Sequence, residues 1–343
     1  MKINYSILLS VILMLSMGFS ESIYAQSVSK TGTTSGQFLR IPVGARASGM
    51  GGAVTADIRD ASAMFWNPAG LANVEKTELM VEYADWFIDI NHNYLGLAIP
   101  AKNGVFGVNF VAMTMGEFEE TTFDFPEGTG RTFNSYMVSG GLAYSTHLFE
   151  KFSVGGNLKF VHEKIFETSA TAIALDVGTL YELPFYGIRF GVSVTNIGTK
   201  MQLDGDGLIT PVDIDDQNQG NYIADSKLAT GAFDLPLMLK VGFAYDAIKN
   251  ENIRATFTVD GSSPSDNVQS ISFGTEIGLL NDLFLLRGGI PYIGLRDRTQ
   301  EFNFGVGINR GFNRNSLNLK FDYAYEAYKY LGSVNRVTLQ ILF

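Results

Sequence analysis

From residue 77 to the end, apolar and polar positions alternate in runs of about ten residues, the two-residue period of a strand with one apolar face. Leu79, Val81 and Tyr83 fall on one face, and Glu78, Met80 and Glu82 on the other. The same alternation places Tyr136, Val138, Leu142 and Tyr144 together, and Phe152, Val154, Leu158 and Phe160 together. Later runs cover 94–100, 105–115, 135–148, 152–165, 170–183, 188–196, 237–245, 253–262, 270–279, 283–290, 301–309, 316–327 and 334–343. The pattern predicts about fourteen strands, each near the length a tilted membrane strand needs. The last run alternates Val337, Leu339, Ile341 and the terminal Phe343 with Thr338 and Gln340.

The connections carry a second pattern. Those after even strands are tight: 101–104, 150–151, 184–187, 247–252, 281–282 and 311–315. Those after odd strands are often longer: 116–131, 198–235, 261–268 and 291–299. Short turns at one end and longer loops at the other belong to outer-membrane barrels. Closure of the ring would also remove the strand edge that lipid cannot hydrogen-bond. The fold expected is an all-β transmembrane antiparallel barrel over residues 76–343. A secreted soluble β-protein is the weaker alternative.

One segment breaks the alternation. Residues 37–71 are rich in Gly and Ala and include Phe38, Arg40, Gly44, Arg46, Gly49, Met50, Gly51 and Gly52. They end in Trp66, Asn67, Pro68, Ala69, Gly70 and Leu71. Small residues let backbone approach backbone closely, and Arg40, Arg46 and Arg59 need polar partners. A compact Gly/Ala-rich segment with a few arginines suits the polar inside of a barrel, and it is read as a plug. Asp60 is placed to cap a short helix up to Trp66, which Asn67-Pro68 then stops. The glycines follow no strand and precede no Gly-Lys-Ser/Thr, which argues against a phosphate cradle.

Ahead of the plug, Lys2 and the apolar 7–19 stretch read as an export signal over residues 1–25, too short in its core for a comfortable span. Residues 26–75 then comprise a polar periplasmic lead-in followed by the plug. Composition fits this picture. Charged residues make up 17% of the 343, aromatics 13%, and there are 37 glycines. The absence of Cys excludes disulfides, thiolate metal sites and a lipid-anchored N-terminal cysteine. A net charge of -10 argues against nucleic acid as a partner. Outer-membrane lipid, lipopolysaccharide and the assembly machinery are the partners expected, with Val337, Leu339, Ile341 and Phe343 resembling the terminal-strand signal such machinery reads.

Residues 38–53 and 66–71 together resemble the N-terminal signature of the PorV/PorQ family, outer-membrane proteins tied to type IX secretion. The Asn67-Pro68-Ala69 piece also resembles the hatch of FadL-type fatty-acid transporters, the wider superfamily of 14-stranded barrels. The PorV/PorQ resemblance implies docking of secretion subunits and cargo, through loops 116–131 and 198–235. The FadL resemblance implies passage of hydrophobic molecules past a hatch toward a lateral opening. A transporter requires an apolar pocket between plug and wall; a docking protein requires a closed lumen and adhesive loops.

Other chemistry is sparse. His92, His147 and His162 have no metal-like spacing. No catalytic constellation stands out, and no enzyme activity or cofactor is expected. Asp204, Asp206, Asp213, Asp215 and Asp216 lie in the 198–235 loop, where a solvated acidic surface is favoured over a Ca²⁺ site. Phe118, Phe123 and Phe125 form an apolar group in the 116–131 loop, and with Asp204, Asp206 and Asp213 of the 198–235 loop they are the candidate partner surface or ligand entrance. Aromatics near strand ends, including Trp86, Tyr94, Tyr144 and Tyr328, are read as membrane-interface girdles.

Overall fold

A computed structural model describes residues 30–213, 223–250, 252–312 and 317–343. The export signal expected over 1–25, and Asp215 and Asp216, lie outside the described residues. Fourteen antiparallel strands form the wall: β1 (Glu78–Asp85), β2 (Asn91–Ala101), β3 (Gly104–Thr114), β4 (Ser135–Phe149), β5 (Phe152–Ile165), β6 (Thr168–Glu182) and β7 (Arg189–Gly198). The second half comprises β8 (Met238–Lys249), β9 (Ile253–Pro264), β10 (Ser270–Leu279), β11 (Phe284–Ile293), β12 (Gln300–Phe312), β13 (Leu317–Tyr328) and β14 (Gly332–Leu342). Each strand pairs with its sequence neighbours, and β1 closes the ring on β14 with Glu78 opposite Leu342 and Asp85 opposite Asn335.

The two faces of the wall separate as the period-2 pattern requires. Val81, Tyr83, Leu142, Leu158, Phe160, Phe257 and Leu339 are exposed on the outside, while Glu78, Met80, Glu82, Asn157, Asp260, Glu276 and Arg336 are buried inside. An apolar exterior, a polar interior and no free edge define a membrane-spanning barrel. On the last strand Leu339 and Phe343 are exposed, with Val337 and Ile341 half-buried on the same face.

The difference between the two rims is real but less regular than the sequence implies. β5 and β6 are joined by Phe166 and Glu167 alone, and β13 and β14 by 329–331, so odd connections are not uniformly long. Half of 261–268 is not loop at all, because β9 continues to Pro264. The long 198–235 connection is also more ordered than its composition predicts. Ile209–Asp213 pairs with Ile223–Lys227, and Met201–Gln202 with Ala232–Phe233.

Residues 36–74 lie inside the ring. They form two short helices, α1 (Ala45–Gly49) and α2 (Ala63–Trp66), with 3-10 turns at Gln37–Arg40 and Pro68–Asn73. The α1 helix lies against β11–β14, and the Pro68–Asn73 turn against β3–β6, so the segment touches opposite sides of the wall. Phe38, Met50, Ile58, Met64 and Leu71 are fully buried there, each contributing about 1.5–3 kcal/mol by leaving water.

The path of this segment corrects one expectation. The lead-in was placed on the short-turn side, but residue 34 sits at the opposite rim. Thr34 bridges to Asp234 in the β7–β8 connection and bonds Asp266 in the β9–β10 connection. The chain therefore runs down the lumen from the long-loop rim and reaches β1 at the short-turn rim. The Asp234 backbone and the Asp266 carboxylate hold it there, a tertiary contact that local composition does not encode.

Candidate functional site: the lumen segment and the cavities around it

Short helices leave many backbone groups without partners, and here the wall supplies them. Ala45 N donates to Thr338 Oγ1 at 2.9 Å, Thr55 N to Asp260 Oδ2 at 2.9 Å, and Ala61 N to Glu78 Oε1 at 2.9 Å. Gly44 N donates to Glu82, which also binds Arg336. In the other direction, Asn157 Nδ2 donates to Met64 O at 3.0 Å, and Ser145 and Ser153 hydroxyls donate to Ala69 O at 3.2 Å. Tyr94, expected in a membrane girdle, instead faces inward and donates to Ala61 O at 2.8 Å. Gly96 leaves the room its ring occupies.

The candidate residues at the end of the segment act together. Trp66 Nε1 donates to Val43 O at 2.7 Å. Asn67 leaves the helical region at φ -157°, and its oxygen accepts from Ala69 N while its amide donates to Thr55 O and Thr179 O at 2.8 and 3.1 Å. Pro68 needs no donor at the first position of the turn. Asp60 does not itself begin α2; it accepts from Ser62 N, and Ser62 takes the cap position.

Glycines make the close approach possible on both sides. A Cβ on Gly49 would meet Gly305 Cα at 3.0 Å, and one on Gly70 would run into Ile58 O. Gly51 and Gly52 adopt φ of 66° and 71°, which only glycine holds easily. Facing them, Cβ atoms on Gly155, Gly178 and Gly289 would collide with Pro68 O, Asn67 Oδ1 and Gly51 N respectively. The wall carries a groove cut by its own glycines, and the segment's backbone fills it.

Toward the short-turn rim the interior is ionic. Arg46 binds Glu276 at 3.0 Å and Asp57 at 2.5 Å. Glu276 also accepts from Arg254 at 2.8 Å and Arg287 at 2.6 Å, and Arg287 reaches Asp322 at 2.6 Å. Arg189 joins Asp57 and Asp246 at 2.7 and 2.9 Å. Arg59 is only 4.0 Å from Asp57 and half exposed. A cavity of about 340 Å³ lined by these charges opens at this rim. Sequence reasoning missed Glu276, Arg287, Asp322 and Arg336. The signal was available: a charged residue at an inward position of an otherwise apolar strand.

The long-loop rim differs. A cavity of about 380 Å³ lies between Gln37, Arg40, Ile41 and Pro42 of the segment and Trp86, Tyr292 and Tyr328 of the wall and its connections. Trp86 packs against Phe87 and Tyr328 with ring centroids 5.0 and 6.0 Å apart. Beside this cavity the wall is unpaired. β11 and β12 are bonded from Phe284–Ile308 up to Gly289–Asn303 and no further, although both strands continue toward the rim. Pro291 has no N–H to offer, Tyr292 turns to a left-handed φ of 54°, and β12 carries an irregularity between Gln300 and Asn303. Tyr292 and Gln300, which flank the break, both line the cavity.

The loop candidates do not join this site. Phe118 stacks on Phe133, which meets Phe166, while Phe123 and Phe125 are exposed. Asp204 pairs with Lys227, whose ammonium holds its carboxyl below the usual range. Asp206 and Asp213 are exposed, and no group of His, Asp or Glu able to hold a metal occurs among the described residues. His92 is buried near Glu82, His147 contacts Ala72 O and His162 lies beside Tyr136, so the three histidines stay apart.

Residues 14–172 match the model of the family described as "Uncharacterised protein family (UPF0164)". Comparison by sequence with curated proteins gives no match. Among solved structures, the chain is similar to the CymD monoaromatic hydrocarbon channel, with TM-score 0.57 and 14% identity over 88% of this chain and 96% of that one. It is similar to the Pseudomonas putida toluene transporter TodX, with TM-score 0.56 and 12% identity over 87% and 96%. It is also similar to a Pseudomonas aeruginosa FadL homologue, with TM-score 0.50 and 13% identity over 88% and 98%. At these identities the likeness establishes the fold: a closed 14-stranded barrel of the kind found in FadL-like outer-membrane channels.

Proposed function

We propose that this barrel sits in an outer membrane and passes small apolar molecules across its outer leaflet. They enter at the long-loop rim past Arg40, Asp297 and Arg298, collect in the outer cavity against Trp86, Tyr292 and Tyr328, and leave sideways through the unpaired stretch between β11 and β12. The observation that carries this reading is the adjacency of that cavity to a break in the wall. The axial route favours it too, because an apolar solute moving straight down would meet the glycine-fitted segment and then the ionic cavity, where desolvating charge is costly. Hydrocarbon and toluene passage are named for CymD and TodX, and monoaromatic compounds are therefore the first solutes to try. Cells producing the protein should take up radiolabelled toluene faster than cells without it; equal rates would contradict the proposal.

A second reading, docking of secretion subunits and cargo as the PorV/PorQ resemblance implies, draws on Phe123 and Phe125, exposed in the 116–131 loop. Crosslinked pull-downs from native membranes test it. Recovery of secretion subunits that is lost when 116–131 is trimmed supports docking; recovery of the barrel alone contradicts it.

A further inference from the structure

Arg40 borders more than the outer cavity. Deeper in the lumen lies a smaller space of about 40 Å³, walled by Leu39, Phe65, Trp66, Met238 and Lys240 among others. Among the described residues, only Arg40 and Tyr292 line both spaces. They are the partition between them. The inner space has an apolar side, formed by Leu39, Phe65, Trp66 and Met238, and a polar side, formed by Lys159, Thr195, Asn196 and Lys240. Phe65 and Trp66 lie edge to face at 5.2 Å, and the Lys240 ammonium rests 4.2 Å from the Trp66 ring.

Both partition residues are held in place by specific contacts. Arg40 Nη1 donates to Asp266 Oδ1 and Oδ2 at 2.9 and 3.2 Å. The same carboxylate accepts from Thr34 Oγ1 and Gln37 Nε2, each at 2.8 Å. One buried acid in the β9–β10 connection thus gathers three side chains of the incoming segment. Tyr292 keeps a left-handed φ of 54° that a bulky residue rarely adopts, and its N–H donates to Ser272 Oγ at 3.1 Å. Strain of this kind persists where the surroundings impose it and often marks moving parts.

We propose that Arg40 and Tyr292 form a gate between the outer and inner cavities, and that Asp266 is the positioning residue that keeps it shut. The proposal rests on the passage reading above and adds a size filter to it. A small guest occupies the outer cavity and leaves sideways with the gate closed. A longer one must displace the Arg40 side chain from Asp266, which joins the two spaces, and only its end enters the inner one, whose 40 Å³ holds a few atoms. The gate moves by rotation of side chains, while the segment below stays in its glycine groove.

The chain's two tryptophans report on the two spaces separately. Trp66 lines the inner cavity and Trp86 the outer one. Fluorescence of the purified full chain is measured with nitrobenzene, a small apolar quencher, in W86F and W66F proteins carrying one reporter each. Trp86 is expected to be quenched strongly and Trp66 weakly. Adding D266N, or R40A if D266N does not give a heat-modifiable barrel, should raise Trp66 quenching several-fold, and D266E should restore the low value. Equal quenching of Trp66 with and without these changes overturns the gate. Failure of nitrobenzene to quench Trp86 overturns the passage reading itself.

Discussion

Arg46 and Glu276 form an ion pair at 3.0 Å inside the barrel, although 230 residues separate them along the chain. Glu276 is the shared acceptor for Arg46, Arg254 and Arg287, and so one wall carboxylate ties the lumen segment to two neighbouring strands. In E276Q three guanidinium groups lose their common counter-charge while remaining in the interior. Removing one partner of a buried ionic cluster costs about 3–5 kcal/mol. The folded band on semi-native gels should convert to the unfolded one at a clearly lower temperature, and an unchanged transition would refute this role.

The glycine groove makes a steric prediction. A side chain on Gly289 would run into the backbone of Met50 and Gly51. Overpacking of this kind costs about 1–3 kcal/mol, and here the cost falls on docking of the segment rather than on the outer face of the wall. G289V should yield a barrel of normal mobility whose residues 36–74 are cut by added protease. In planar bilayers it should conduct more ions than the wild type. The control G288V, with open space around its Cβ, should behave as wild type.

Asp266 supplies a pH dependence. Its burial opposes ionisation, but the hydrogen bonds from Gln37 and Thr34 and the Arg40 charge outweigh that and hold its carboxyl below the ordinary value. A depressed folded pKa contributes stability that is present above the unfolded value and lost as pH falls through the folded one. The contacts of Thr34, Gln37 and Arg40 should therefore hold at neutral pH and loosen only in acid below the ordinary carboxylate range. Trp66 quenching by nitrobenzene should rise over that acid range in the wild type. In D266N it should already be high at neutral pH and change much less.

The strand pattern was readable in the sequence because a membrane wall forces it: each residue faces either lipid or lumen, and the period of two records the choice. Residues 37–71 stood apart for the opposite reason, since they show no such period. What escaped was where the inside residues go. Tyr94 looks like its girdle neighbours until the lumen gives its hydroxyl a partner at Ala61 O. Glu276 and Arg287 lie on adjacent strands, but their link to Arg46 spans the fold. The direction of the segment depends on the Asp234 backbone and the Asp266 carboxylate, in connections with no distinguishing local pattern. Pro291 was visible and lay in a stretch read as loop; only the register shows that it ends the β11–β12 ladder.

The most direct test closes the wall. The chain has no cysteine, so an I290C/F302C pair can be bridged without competition by a short bifunctional maleimide. Both positions are exposed on the outside, beyond the last β11–β12 pair, Gly289–Asn303. Toluene uptake is then compared in cells carrying the bridged pair, either cysteine alone, and the unmodified chain. Sideways passage between β11 and β12 predicts that bridging abolishes uptake, that each single variant keeps it, and that nitrobenzene still quenches Trp86. Undiminished uptake through the bridged barrel would contradict that route.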